Sequence, residues 1–160
     1  YPLSVLALRT EAAELYVRGL YGNTMTTNPR ALAVGTAVLE QVTPALRRNI
    51  RERGEEFLAG LRSLAEEFPQ AVLSVSGTGL LLAAELEPTR FPVIGHDGVE
   101  MRCRKHGIGL IHGGRNALRF TPHFGLTSAE VAMILANLRD VFAGMTHAEA
   151  PAGTAFLADV

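Results

Sequence analysis

The hydrophobic positions change their spacing twice along the chain. "YPLSVLAL" (1–8) opens as a run that reads as a strand. "TEAAELYVRG" then has helix-forming composition with acids at its start, which predicts a short helix from about Thr10. A polar loop, "YGNTMTTNP", follows. Asn28 before Pro29 suits a helix N-cap with proline in the first helical position, where its missing N–H would be unpaired anyway. From there Leu32, Ala33, Val34, Ala37, Val38 and Val42 keep a helical stripe, with Gly35 suited to a close contact. Pro44 should interrupt this helix and restart it with Thr43 as cap. In the restarted helix Leu46, Ile50, Phe57, Leu58, Leu61, Leu64 and Phe68 form one face. Arg47, Arg48, Arg51, Glu52, Arg53, Glu55 and Glu56 form the other, a pattern more typical of a solvated face with i,i+4 pairs than of a binding patch.

Past Pro69 the period drops from 3.6 to 2. "AVLSVSG" and "GLLLAAELE" read as two strands joined at "GTG". The loop "PTRFPVIGHDG" leads to a helix over "VEMRCRKHG", which Gly107 should end as a C-cap. "IGLIH" and "NALRFTP" read as strands around "GGR". "TSAEVAMILANLRDVF" is a helix opened by a capping box of Thr127 and Glu130, with Val131, Ile134, Leu135, Leu138 and Phe142 as its apolar stripe. "HAEAPAGTAFLADV" is rich in small residues and predicts a flexible tail. The expected class is α/β, with a strand and loop, a long broken helix, and a compact lobe of sheet and helices.

Composition narrows the function more than the fold. The 160 residues are 48% hydrophobic, enough for a real core, and no apolar run nears the roughly 18 to 20 residues that span a bilayer. A net charge of -1 removes any global electrostatic case for nucleic acid or an anionic membrane. One cysteine builds neither a disulfide framework nor a Cys-rich zinc site, and it fits a reducing, cytoplasmic setting. The abrupt opening strand gives the impression of a chain cut at its front. Of 15 basic residues only Lys105 is a lysine, so Schiff-base chemistry has one candidate.

Several constellations deserve weighing. Gly77-Thr78-Gly79 invites a phosphate loop, but such a cradle must lead into a helix, and these glycines lead into a strand pattern. A tight turn is the better reading. Cys103, His106 and His112 lack a fourth ligand and an anchor, so a helix surface with a half-buried cysteine is expected rather than a metal site. His96, His123 and His147 have no ligand spacing. Arg119 lies inside an otherwise apolar strand, where a guanidinium needs a carboxylate. That carboxylate could be an internal Glu or Asp, or it could belong to a bound substrate. The threonine loop is equally open: it is either a capped helix start with incidental threonines or an anion site ahead of a helix N-terminus.

Four ordered motifs carry a resemblance. "YPLSVLA", "YGNTMTTNPRALAV", "VSGTGLLLAAEL" and "CRKHGIGLIHGGRNALRFTPHFGLTSAEV" together resemble the C-terminal portion of class III aminotransferases, fold-type-I enzymes that depend on pyridoxal 5'-phosphate. The likeness runs from Tyr1 to about Phe142. It implies that residues 1–28 end a large cofactor-binding domain, 29–68 form bridging helices, 69–145 form a small C-terminal α/β domain, and 146–160 form the tail. It further implies that Thr24, with Asn23 beside it, contacts the cofactor phosphate in the active site of a neighbouring subunit of a homodimer. Arg119 matches the arginine that binds a substrate's α-carboxylate. Thr26 and Thr27 stand where the family has a glycine pair, and His123 where a second proline is common. The Schiff-base lysine and the aspartate facing the pyridine nitrogen would lie before Tyr1. The resemblance therefore implies amino-group transfer between an amine or amino acid and a keto acid, with these 160 residues inactive alone. A non-catalytic dimerisation or interaction domain descended from this fold is the alternative.

Overall fold

The computed structural model describes residues 3–17, 19 and 27–147. The chain falls into two compact units, 1–44 and 45–160.

In the first unit, residues 3–9 form no strand, contrary to the expectation from "YPLSVLAL". A strand exists through its ladder of hydrogen bonds to a neighbour, and every strand pairing among the described residues belongs to the second unit. Val5 and Leu6 stay exposed at 77% and 81%. α1 (Thr10–Ala13) begins where expected but lasts a single turn. α2 (Pro29–Gln41) starts as its sequence requires: the Asn28 side chain accepts from the Arg30 and Ala31 backbone N–H groups at 3.0 and 3.3 Å, with Pro29 in the first turn. Thr27, just before this cap, has φ +59°. The left-handed region is strained for a β-branched side chain, and glycine is the residue that enters it freely.

The second unit opens with α3 (Pro44–Glu67), restarted at Pro44 as anticipated. Its stripe of Phe57, Leu61 and Leu64 is buried, while Arg47, Arg48, Arg51, Glu52 and Glu55 are exposed. β1 (Val72–Thr78) and β2 (Leu81–Leu86) form a hairpin with Thr78 opposite Leu81, so Gly77-Thr78-Gly79 makes a tight turn and not a phosphate loop. Gly77 and Gly79 take φ +148° and +56°. α4 (Val99–Lys105) ends at His106 and Gly107, the latter at φ +85°. β3 (Ile111–Gly113) and β4 (Ala117–Phe120) flank the turn at Gly114, and α5 (Ser128–His147) closes the described residues. The capping box of α5 is present. Glu130 accepts from the Thr127 backbone N–H at 2.7 Å, and the Thr127 hydroxyl oxygen accepts from the Glu130 N–H at 3.2 Å.

The four strands are antiparallel in the order β1-β2-β4-β3. Alternation puts Leu82, Ala84, Leu86, Leu118 and Phe120 on one face, where they share a core with Phe57, Leu61 and Leu64 of α3 and Val131, Leu138 and Phe142 of α5. Phe57 meets Phe120 edge-to-face at 5.0 Å. Among the described residues no helix of this core covers the opposite face, which is exposed at Leu73, Leu81 and Ile111. One side chain locks the loop between β2 and α4. Asn116 accepts from the Val93 N–H at 2.8 Å and donates to the Leu86 and Phe91 carbonyls at 3.0 Å each. That bond set carries Phe91 and Val93 into the core, at 0% and 1% exposure.

Candidate functional site

Arg119 sits mid-strand in β4, opposite Ala83 on one side and Ile111 on the other. Its neighbours Leu118 and Phe120 point into the core, so the pleat sends Arg119 to the outer face. Exposure removes the desolvation cost that an apolar strand had suggested, and with it the need for an internal carboxylate. No ion pair or hydrogen bond ties the Arg119 side chain to the described residues. The carboxylate best placed to provide one is Glu85, opposite Ala117 and therefore diagonal to Arg119 on the same face. Glu85 instead accepts from the Ser74 hydroxyl at 3.1 Å.

A cavity of about 390 Å³ opens over this face, lined by Ser76, Gly77, Thr78, Leu81, Leu82, Ala83 and Arg119. Its floor is the sheet. Ser76 lies opposite Ala83, and Ala83 opposite Arg119, so three adjacent strands present one row into the cavity. The hairpin that carries its wall is seated on α3: a Cβ at Gly54 would stand 2.3 Å from the Gly79 carbonyl oxygen. Chemically the arrangement offers one cation, two hydroxyls and an apolar wall. That combination suits a carboxylate attached to an aliphatic group. Ser76 and Thr78 were not singled out from sequence, because their place beside Arg119 follows only from the strand order.

The remaining candidates do not join this site. Thr24 and Asn23 lie outside the described residues. Cys103 is fully buried, not half-buried, and burial pushes its thiol up to about 11, well away from thiolate chemistry near neutral pH. His106 caps the end of α4 in an exposed position, and His112 on β3 approaches Glu100 at 3.3 Å, with Arg104 on the same carboxylate at 2.8 Å. Among the described residues no group of three or more His, Cys, Asp or Glu side chains is arranged to hold a metal. His123 approaches Glu130 at 3.6 Å. Hydrogen bonds from Thr127, more than His123, hold the Glu130 carboxyl below its ordinary range. No helix among the described residues is long and apolar enough to cross a membrane.

Residues 1–142 match the family model for aminotransferase class III. The chain belongs to that family. This class III chain is 32% identical over 140 residues to an acetylornithine aminotransferase of Xanthomonas campestris pv. campestris, a match covering 87% of the chain and 34% of the relative. An acetylornithine aminotransferase of Mesorhizobium japonicum is 29% identical over 153 residues, covering 95% of the chain and 37% of the relative. The chain thus spans about a third of the length of the curated relatives it matches. Among solved structures, N-acetylornithine aminotransferase from Stenotrophomonas maltophilia K279a superposes with a TM-score of 0.62 at 28% identity, covering 74% of this chain and 32% of that one. Lysine aminotransferase from M. tuberculosis, in its internal aldimine form, gives 0.59 at 26% identity, covering 68% and 24%. The fold is accordingly an α/β portion of the fold-type-I aminotransferase architecture.

The family depends on pyridoxal phosphate. The described residues do not by themselves form a seat for it. The one lysine, Lys105, ends α4 in an exposed position and does not line the cavity beside Arg119. Thr27, where the resemblance places glycine, does adopt a left-handed φ, so the backbone leaving the threonine loop takes a conformation that glycine would favour.

Proposed function

We propose that this chain supplies the substrate-carboxylate end of a pyridoxal-phosphate-dependent aminotransferase that moves an amino group between an amine or amino acid and a keto acid. The observation that carries this reading is the exposed Arg119 guanidinium, free of ion pairs among the described residues and lining a cavity with an apolar wall. A purely structural descendant of the fold need not keep this arginine, so its presence favours the enzyme over a structural remnant. Arg119 holds the α-carboxylate and thereby orients the reacting end of the substrate. The cofactor, when bound, supplies the electron sink for the chemistry. Thr24 and Asn23 contact its phosphate across the interface of a homodimer, and the protein works in the cytoplasm. Residues 1–28 belong to the cofactor-binding domain, 29–68 bridge, and 69–145 form the small domain. By themselves the 160 residues are inactive, because their one lysine, Lys105, does not line the cavity.

Two experiments test the reading. The 160-residue chain, mixed with pyridoxal phosphate, an amino donor and 2-oxoglutarate, should give no turnover and no borohydride-trapped adduct at Lys105. Activity or an adduct there would refute it. In the protein with its cofactor-binding domain joined, Arg119→Ala should raise KM for α-carboxylate substrates at least tenfold more than for simple amines, the scale on which a charged hydrogen-bond pair discriminates. Equal effects on both would make Arg119 structural.

A further inference from the structure

Two hydroxyls in the Arg119 cavity have no partner among the described residues. Ser76 and Thr78 are on β1, on the same outer face as Arg119, and both line the cavity. Ser74, two residues earlier on that face, shows the contrast, since its hydroxyl already donates to Glu85. Between Ser76 and Arg119 stands only Ala83, whose methyl group leaves the space above the middle strand open. Strands lie roughly 4.8 Å apart, which separates the Ser76 and Arg119 backbones by roughly two such steps. The Arg119 side chain is long enough to lean over Ala83 toward the short Ser76 side chain, so both can reach one ligand group in the cavity they line. A carboxylate suits that place, given contacts of about 2.8 Å on each side.

We propose that the Ser76 hydroxyl completes the carboxylate site begun by Arg119 and so determines specificity, with Thr78 at the rim. The inference rests on the reading of Arg119 as the carboxylate-binding residue. Among the described residues Arg119 is the one charged residue lining the cavity, and the Leu81 and Ala83 side chains give it an apolar wall. This part of the site therefore suits one carboxylate followed by an aliphatic segment. Arg119 provides the charge. Ser76 fixes which way the carboxylate plane turns, because a hydroxyl donates one hydrogen bond in one direction.

The test is an NMR titration of the full chain, labelled with 15N, against propionate and against propionamide, its neutral counterpart. The Arg119 Nε–Hε signal and the backbone amides of Ser76 and Ala83 report binding. Propionate should shift these signals saturably in the wild type. Ser76→Ala should weaken propionate binding about tenfold or more, as expected for one hydrogen bond to an ionised group. Ser76→Thr should restore it to within about twofold, because the hydroxyl is kept. Propionamide should not distinguish the three proteins. If Ser76→Ala binds propionate like the wild type while Arg119→Ala does not bind it, the Ser76 assignment is overturned and the Arg119 reading stands. If Arg119→Ala binds as the wild type does, or the wild type shows no saturable shift, both are overturned.

Discussion

Three glycines on the helices of the second unit provide a graded test of how the cavity's hairpin is held. Each change to alanine adds the same methyl group. Each also removes the same intrinsic penalty, about 1 kcal/mol for glycine inside a helix. What differs is the neighbour. At Gly144 of α5 the added Cβ meets nothing within 4 Å, so the helix gain stands alone. Gly144→Ala should stabilise by roughly 0.5–1 kcal/mol. At Gly60 of α3 the Cβ would come 2.2 Å from a terminal methyl of Leu135, a flexible side chain that can move to another rotamer. That repacking costs roughly 1 kcal/mol and about cancels the gain. At Gly54 the obstacles are backbone: the Gly79 carbonyl oxygen, carbonyl carbon and Cα at 2.3, 2.6 and 2.8 Å. Neither the helix nor the β1–β2 turn can yield without displacing the other. Overpacking of this kind costs roughly 1–3 kcal/mol or more, so Gly54→Ala should be destabilising in spite of its helix gain. Urea unfolding of the three variants measures the order, Gly144→Ala above wild type, Gly60→Ala close to it, and Gly54→Ala below both. If Gly54→Ala matched Gly144→Ala, the turn would not be seated on α3, and the account of how the cavity wall is positioned would be wrong.

Asn116→Ala removes an acceptor from Val93 and two donors from the Leu86 and Phe91 carbonyls, all partly buried. It should cost about 2–4 kcal/mol in urea unfolding, and a loss under about 0.5 kcal/mol would show water taking over all three bonds. The Cys103 thiol is raised from 9.0 to about 11 by burial, so the folded state resists its ionisation. Its contribution is complete below the unfolded value near 9 and is lost as pH rises toward 11. Between those limits wild type should lose stability more steeply than Cys103→Ala, by about 2–3 kcal/mol, in a pH series of unfolding curves. Parallel curves would show that the thiol is not held apart from water. At neutral pH, labelling of Cys103 by a thiol reagent should proceed only at the rate of opening of the second unit, and rapid labelling of the folded chain would contradict its burial.

Much of this molecule is written within a few residues of each feature. The Asn28 cap with Pro29, the break at Pro44, the Gly107 terminator and the Thr127–Glu130 box were all legible in sequence and all form. Their interactions close within about four residues, so local identity is enough to set them. The same holds for the change of period at Pro69, and four motifs in order were enough to place the chain in its family.

What the sequence could not decide joins distant positions. "YPLSVLAL" has a strand's composition but becomes one only with a neighbour to complete its ladder, and residues 3–9 form none. Arg119 could face either way, because a strand's sides are related by a step of one residue and only the register with Ala83 and Ile111 fixes the side. Ser76 and Thr78 look like ordinary strand residues until β1, β2 and β4 are set side by side. Long-range pairing thus turned a puzzling arginine in an apolar strand into the charged corner of an open cavity. The chain specifies its helix ends by short-range hydrogen bonds. It specifies the candidate site by which strands lie next to one another, and that depends on burying one face of the sheet against α3 and α5.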